Sequence, residues 1–381
     1  MKRALVFIGT RPEAIKMAPV FHALKAAPDF QPIVVSTGQH REMLKQVTDL
    51  FEIDVTHSLD VMQPNQTLAG LTARLLTGID ELLLSLAPDI ALVQGDTTTV
   101  LSAALACFYR QIPLGHVEAG LRTHNLSAPF PEEANRVLAG RLVRLHFAPT
   151  DFGKNNLLRE GVDPSHIFVT GNTVIDALQM EVARQERPGV REEIESVLVE
   201  QLGADFRAHP FVLITGHRRE NFGTGFQQIC DALATLADRF PDHRFVYPVH
   251  LNPNVQGPVR ERLGSHANIR LIPPQPYSTF VALMNASRLL LTDSGGVQEE
   301  APGLGKPVLV MRDTTERPEG VDAGTVRLVG ANAERIVEQV SLLLTDSRVY
   351  DEMANAVNPY GDGKAAGRIV TALRQWAMQP A

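Results

Sequence analysis

Short runs rich in Val, Ile and Leu recur along this chain in a rhythm, separated by intervals long enough for one helix. Runs apolar on both faces suit parallel strands buried on both sides, and parallel neighbours need a crossover, usually helical. The rhythm therefore predicts βαβ units. Strands are expected at 4–8, 32–36, 90–93, 114–117 and 146–148, then at 211–214, 244–247, 269–272, 289–291, 307–310 and 326–329. Intervals such as 66–86 and 98–109 carry apolar residues at helical spacing. Between 179 and 209 the strand signal stops, and a charged stretch containing Pro188-Gly189 takes its place. A length of 381 residues suits two domains. The expected fold class is α/β, with two Rossmann-like doubly wound parallel-sheet domains facing a central cleft. The first would cover 1–180, a linker 181–209, and the second 210–364, with a final helix at 365–381 able to cross back to the first domain.

Polar clusters follow these strands. Gly9-Thr10-Arg11-Pro12-Glu13 comes after the first, Gln94-Gly95-Asp96-Thr97-Thr98 after the third, and His116-Val117-Glu118 closes the fourth. In the second half Thr215-Gly216-His217-Arg218-Arg219 and Asp293-Ser294-Gly295-Gly296 hold equivalent places. Open α/β sheets bind ligands beyond the carboxyl ends of their strands, so all these clusters point to ligand-binding edges. Ser294-Gly295-Gly296, at a strand-to-helix turn, offers bare backbone N–H groups to an anion such as a diphosphate. A tight turn without a ligand would explain the two glycines as well. Glu300, one helical turn on, is placed to accept the hydroxyls of a ribose, or to act as favourable charge in a first turn. Arg11, Lys16, His217, Arg218, Arg219 and Arg317 gather positive charge at strand ends.

That local charge sits in a chain with 36 Lys and Arg against 43 Asp and Glu, a net −7 without a basic stripe. Nucleic acid and membrane surfaces are therefore not expected partners. Arg11 and Glu13 interrupt the apolar start before a signal peptide's core can form, and no apolar run spans a bilayer, so a cytoplasmic protein is expected. Cys107 and Cys230, far apart in apolar stretches, read as buried thiols. Gly361-Asp362-Gly363-Lys364-Ala365-Ala366 matches a dinucleotide fingerprint by letter but follows no strand, and Gly303-Leu304-Gly305-Lys306 lacks P-loop spacing. Neither NAD nor ATP has support, and zinc-hydrolase and Ser-triad motifs are missing from the sequence.

Asp96, Glu118, Glu132 and His217 then remain as titratable groups at strand ends, the stock that general acid/base catalysis draws on. Asp96 can alternatively cap the helix that opens at Thr97 or Thr98, and Glu132 can be first-turn charge behind Pro131. His217, between Gly216 and Arg218, does not read as a core histidine. The residues alone point to an enzyme that acts on a diphosphate-linked metabolite.

The string Gly9-Thr10-Arg11-Pro12-Glu13-Ala14-Ile15-Lys16-Met17-Ala18-Pro19 resembles the opening of the non-hydrolysing UDP-N-acetylglucosamine 2-epimerases of bacteria. Similar strings follow in order: 95–99, 115–123, 129–135, 170–173, 215–221, 247–253, 292–302, 312–320 and 358–363. The resemblance implies a glycosyltransferase-B-like pair of Rossmann domains, a homodimer, and reversible conversion of UDP-GlcNAc to UDP-ManNAc without NAD or metal. It further implies anti elimination of UDP to a 2-acetamidoglucal intermediate, followed by re-addition. Asp96, Glu118 and Glu132 match the family's catalytic acids, and His217 its essential histidine. Arg11, Lys16, Gln275, Phe280, Ser294, Gly295, Gly296, Glu300 and Arg317 match substrate-binding positions. Gln39, Arg218 and His250 match an allosteric site for a second UDP-GlcNAc, with Glu42 where some members carry Gln. His124, Ser127 and Ala128 depart from the more typical Gly, aromatic and Ser. A retaining glycosyltransferase of the same fold, a hydrolysing epimerase releasing ManNAc, and a non-catalytic nucleotide-sugar sensor are the rival readings.

Overall fold

Every strand among the described residues is parallel to its neighbours, as runs buried on both faces require. The computed structural model describes residues 1–38, 41–63 and 65–378. The chain divides into one unit of residues 1–177 with 360–381 and a second of residues 178–359. In the first unit β1 (Lys2–Ile8), β2 (Phe30–Ser36), β3 (Val55–Ser58), β4 (Ile90–Gln94), β5 (Leu114–Val117), β6 (Leu145–Ala148) and β7 (Ile167–Val169) form one sheet. Its order is β3-β2-β1-β4-β5-β6-β7, a doubly wound sheet whose direction of winding reverses between β1 and β4. Leu5, Phe7, Ala91 and Val93 alternate onto one face and pack with Leu75, Ile79 and Leu83 of the helix Leu68–Leu86 and with Val100, Ala103 and Cys107 of the helix Thr98–Tyr109. The final helix, Ala365–Ala377, belongs to this unit: buried Asp176 accepts the N–H groups of Ala365 and Ala366 at its start, and Arg374 pairs with Asp29 near its end.

In the second unit β8 (Phe211–Thr215), β9 (Arg244–Pro248), β10 (Ile269–Ile272), β11 (Leu289–Thr292), β12 (Val308–Val310) and β13 (Val326–Leu328) run in the order β10-β9-β8-β11-β12-β13, with the reversal between β8 and β11. Val212, Ile214, Leu289 and Leu291 face one apolar cluster, and Phe211, Leu213 and Leu290 face the other. The segment 181–209, a linker by sequence pattern, carries the helix Val190–Leu202. Leu198, Leu202 and Phe206 are buried in the core beneath Phe211 and Leu213. A narrow apolar stripe amid charged residues anchors this helix, which is why composition alone reads as a junction.

Cys107 and Cys230 are buried and unbridged, and burial pushes their thiols up to about 12 and about 11, so both stay protonated and unreactive. Among the described residues no helix is long and apolar enough to cross a membrane, and no group of three or more His, Cys, Asp or Glu is placed to hold a metal ion.

Candidate functional site

The two reversals in sheet order fix where the polar clusters fall. At such a point adjacent strands send their chains to opposite faces, which opens a crevice at the carboxyl ends. In the first unit, Gly9 leaves β1 and packs so closely that a Cβ would come within 2.5 Å of Thr37 Oγ1. Glu13, nearly fully buried, closes the turn by accepting from the N–H of Gly9 at 2.6 Å and of Thr10 at 2.7 Å. Burial raises its pKa, while these bonds and the Thr97 hydroxyl act against that shift. Arg11 and Lys16 then project from the helix Arg11–Ala26 that this turn starts. Arg11 is exposed.

Lys16 Nζ grips both oxygens of Glu118, at 2.8 and 2.6 Å, and the Gln94 side chain adds a further bond to Glu118 Oε2. Glu118 holds φ +64°, a left-handed conformation that a non-glycine residue adopts only where its surroundings over-determine it. Its neighbour His116 is fully buried and its Nε2 bonds to the Gly95 carbonyl at 2.7 Å. Burial pushes this imidazole down to about 4, so His116 is neutral at pH 7.

Asp96 does not cap the helix Thr98–Tyr109: the N-cap is Thr97, and the Asp96 carboxylate turns to Arg136, whose Nη2 and Nε reach Oδ2 at 2.7 and 3.0 Å. Glu132 opens the helix Glu132–Gly140 and is half-buried, without a hydrogen bond or ion pair to another described residue. Asp96, Glu132, Thr97, Thr98 and Asn135 line one pocket of about 270 Å³ with Met62, Gln66, Leu68 and Leu71. Two carboxylates with unengaged oxygens share this pocket.

In the second unit the reversal brings the chain leaving β8 against the chain leaving β11. Asp293, completely buried, accepts the backbone N–H of His217 at 2.9 Å and of Arg218 at 2.8 Å. Its other oxygen stands 3.4 Å from His217 Nδ1, an ion-pair distance without hydrogen-bond alignment. The His217 ring stacks on that of His250 at 5.5 Å and 17°. Burial lowers the His217 pKa, and Arg218 and His250 lower it further against the pull of Asp293. The resting imidazole is therefore neutral at pH 7.

Ser294, Gly295 and Gly296 lead into the helix Gly295–Glu300. A Cβ on Gly295 would lie 2.6 Å from Arg317 Nη1, so the glycine lets the guanidinium rest on the backbone. Glu299, buried, anchors Arg317 through Nε at 2.5 Å. One turn on, Glu300 lies beside the buried Tyr277, whose phenol is pushed far up by burial and by that carboxylate. Phe280, on the same helix as Tyr277, packs against the core that includes Val297, and Gln275 Nε2 bonds the Pro273 carbonyl at 2.6 Å.

His217, Arg218, His250, Ser294, Gly295, Gly296 and Arg317 are thus collected at one crevice, with Glu300 a turn behind. Glu42 is exposed on the helix Arg41–Leu50, and Gln39 lies outside the described residues. Sequence patterning passes over the residues that hold the others in place: Glu13, Glu133, Arg136, Tyr277 and Asp293. Two signals among them are readable: the Thr10-to-Glu13 capping-box spacing and the Glu133-to-Arg136 spacing, three apart on a helix.

The profile of the UDP-N-acetylglucosamine 2-epimerase family matches residues 22–374. The UDP-N-acetylglucosamine 2-epimerase of Escherichia coli K12 is 55% identical over 381 residues, with 98% of each chain covered. That of Yersinia pestis is 55% identical over 372 residues, again with 98% of each chain covered. A crystal structure of the UDP-GlcNAc 2-epimerase from Neisseria meningitidis, bound to UDP-GlcNAc, is similar with a TM-score of 0.89 at 48% identity, covering 98% of this chain and 100% of that one.

Proposed function

The chain belongs to the UDP-N-acetylglucosamine 2-epimerase family, and from that premise we propose that it interconverts UDP-GlcNAc and UDP-ManNAc by eliminating and re-adding UDP. The observation that carries this reading is Asp293: a fully buried carboxylate that holds the backbone at His217 and stands 3.4 Å from its neutral imidazole, beside the Gly295-Gly296 turn. That is a site built to receive a diphosphate and to stabilise it as it leaves.

The chemistry follows from the substrate. The C2 proton has no carbonyl beside it, so its direct removal would be prohibitively unfavourable. Breaking the C1–O bond supplies the missing driving force. A carboxylate takes the C2 proton as the C1–C2 double bond forms, and UDP departs with the C1–O electron pair, leaving 2-acetamidoglucal. Protonation of C2 on the opposite face and return of UDP to C1 complete the epimerisation. Asp96, Glu118 and Glu132 are assigned to the proton transfers. His217 and Arg317 are assigned to the diphosphate, with the Ser294 side chain and the backbone of Gly295 and Gly296. An arriving diphosphate raises the His217 pKa, so the imidazole gains a proton as the leaving group gains charge. Arg11, Lys16, Gln275 and Phe280 assist on the substrate, and Glu300 takes the ribose hydroxyls. The reaction calls on neither NAD nor a metal.

We assign a second UDP-GlcNAc, as activator, to Gln39, Glu42, Arg218 and His250, and a homodimer as the working form. A cytoplasmic setting and the lack of nucleic-acid or membrane partners complete the proposal, supported by the net charge of −7. Incubation with UDP-GlcNAc alone tests it. UDP-ManNAc should accumulate to an equilibrium mixture without any acceptor. A glycosyltransferase would leave the substrate unchanged, and a hydrolysing enzyme would release free ManNAc and UDP.

A further inference from the structure

We propose that Arg136 is the positioning residue for Asp96, and that with Glu133 it makes the placement of Asp96 depend on the backbone at Thr123 and His124. The proposal rests on the reading above, in which Asp96 takes part in proton transfer. Arg136 is buried, and both its bonds to Asp96 end on Oδ2, leaving Oδ1 without a partner among the described residues. One oxygen is tethered and the other is free, as a proton-transfer group needs. A stabilising ion pair has no reason to spare Oδ1.

The clamp extends in both directions. Asn135, the preceding residue, donates from Nδ2 to the Asp96 carbonyl at 2.8 Å, so the backbone and the side chain of Asp96 are held from the same helix turn. Arg136 Nη1 bonds Glu133 Oε2 at 3.0 Å, and Glu133 is fully buried. The other Glu133 oxygen accepts the N–H groups of Thr123 and His124, both at 2.9 Å. His124 sits at φ +62°, and these bonds help to hold that left-handed turn. The helix Glu132–Gly140 therefore bears Glu132 at its first position and grips Asp96 from its next turn. It sets the spacing between two of the proposed acid/base groups, and the loop from Thr123 is wired into it. A planar guanidinium is suited to this because it presents a fixed fork and never loses its charge.

A double-mutant cycle tests the proposal, with kcat and KM for UDP-GlcNAc measured on Asp96→Asn, Arg136→Met and the combined variant. Misplacing a reacting group by about 1 Å costs roughly 10²-fold, so Arg136→Met should lose about that much in kcat while KM moves less than about threefold. If Arg136 acts through Asp96, the combined variant falls no further than Asp96→Asn. Losses that multiply, or an Arg136→Met kcat within threefold of wild type, would overturn the clamp while leaving Asp96 in the reaction. Wild-type turnover in Asp96→Asn would overturn both the clamp and the role of Asp96. Removing one partner of a buried pair can unfold a protein, so Arg136→Lys, which keeps the charge and loses the fork, is carried through the same cycle. Its loss of kcat should vanish in the Asp96→Asn background, and a loss that persists there contradicts the proposal.

Discussion

Replacing Gly296 with Ala separates the needs of a ligand from those of the fold. A methyl at Gly295 would meet the Arg317 guanidinium at 2.6 and 2.8 Å, so any effect there mixes packing with binding. At Gly296 the nearest heavy atom to an added Cβ is Glu300 Oε1 at 3.5 Å, an ordinary contact, and the residue is helical with no positive φ. The folded protein accepts the methyl, and Ala in place of a helical Gly should stabilise it by about 0.5–1 kcal/mol. A diphosphate drawn onto these N–H groups needs the Cα to be bare. Losing one charge-assisted hydrogen bond costs about 1.5–3 kcal/mol, which is roughly a 10- to 150-fold weaker Kd. Calorimetric titration with UDP, beside urea unfolding of the same preparation, reads both quantities. The expected outcome is a more stable protein that binds UDP at least tenfold less tightly. Binding within threefold of wild type would mean that the diphosphate does not lie on this turn.

Further expectations concern the histidines. His217→Ala should leave the free energy of urea unfolding within about 1 kcal/mol of wild type, because the ring is partly exposed, while kcat falls by about 10²–10⁴-fold. Wild-type-like turnover would remove His217 from the set. His116 has its pKa depressed in the folded state, so its contribution is fully present above pH 6.5 and is lost as the pH falls toward about 4. By pH 5 the loss should amount to about 2 kcal/mol. Urea unfolding of His116→Gln should show a shallower decline between pH 7 and pH 5 than wild type, and parallel declines would refute the assignment.

Most of the strands that the sequence announces are buried on both faces, and the edge strands β10 and β13 show through the apolar residues around Arg270 and Arg327. β5 and β10 match the expected bounds, and most of the others extend them by one or two residues. β3 and β7, the edge strands of the first sheet, escape notice. Val55-Thr56-His57-Ser58 is largely exposed, and Ile167-Phe168-Val169 is only three residues long, so neither forms a continuous apolar run. The polar groups at strand ends were legible for the same reason: a strand buried on both faces ends abruptly in whatever does the chemistry. Their supports were not. Beyond the cap spacing of Glu13 and the helical spacing of Glu133 and Arg136, these residues and Asp293 look like ordinary charges in sequence, and only the fold shows them buried and spent on backbone N–H groups or on another charged residue. The alternatives for Asp96 illustrate the limit. Capping and catalysis predict the same letter at the same place, and the carboxylate's turn toward Arg136 decides against the cap.

Elimination through a glycal is written in the fate of the C2 hydrogen. Incubated with UDP-GlcNAc in D2O, the enzyme should place deuterium at C2 of the UDP-ManNAc formed and, as the mixture equilibrates, at C2 of the remaining UDP-GlcNAc. Proton NMR of the sugar ring reads both directly. Product that forms with C2 still fully protonated would contradict elimination through a glycal and, with it, the roles given to Asp96, Glu118 and Glu132.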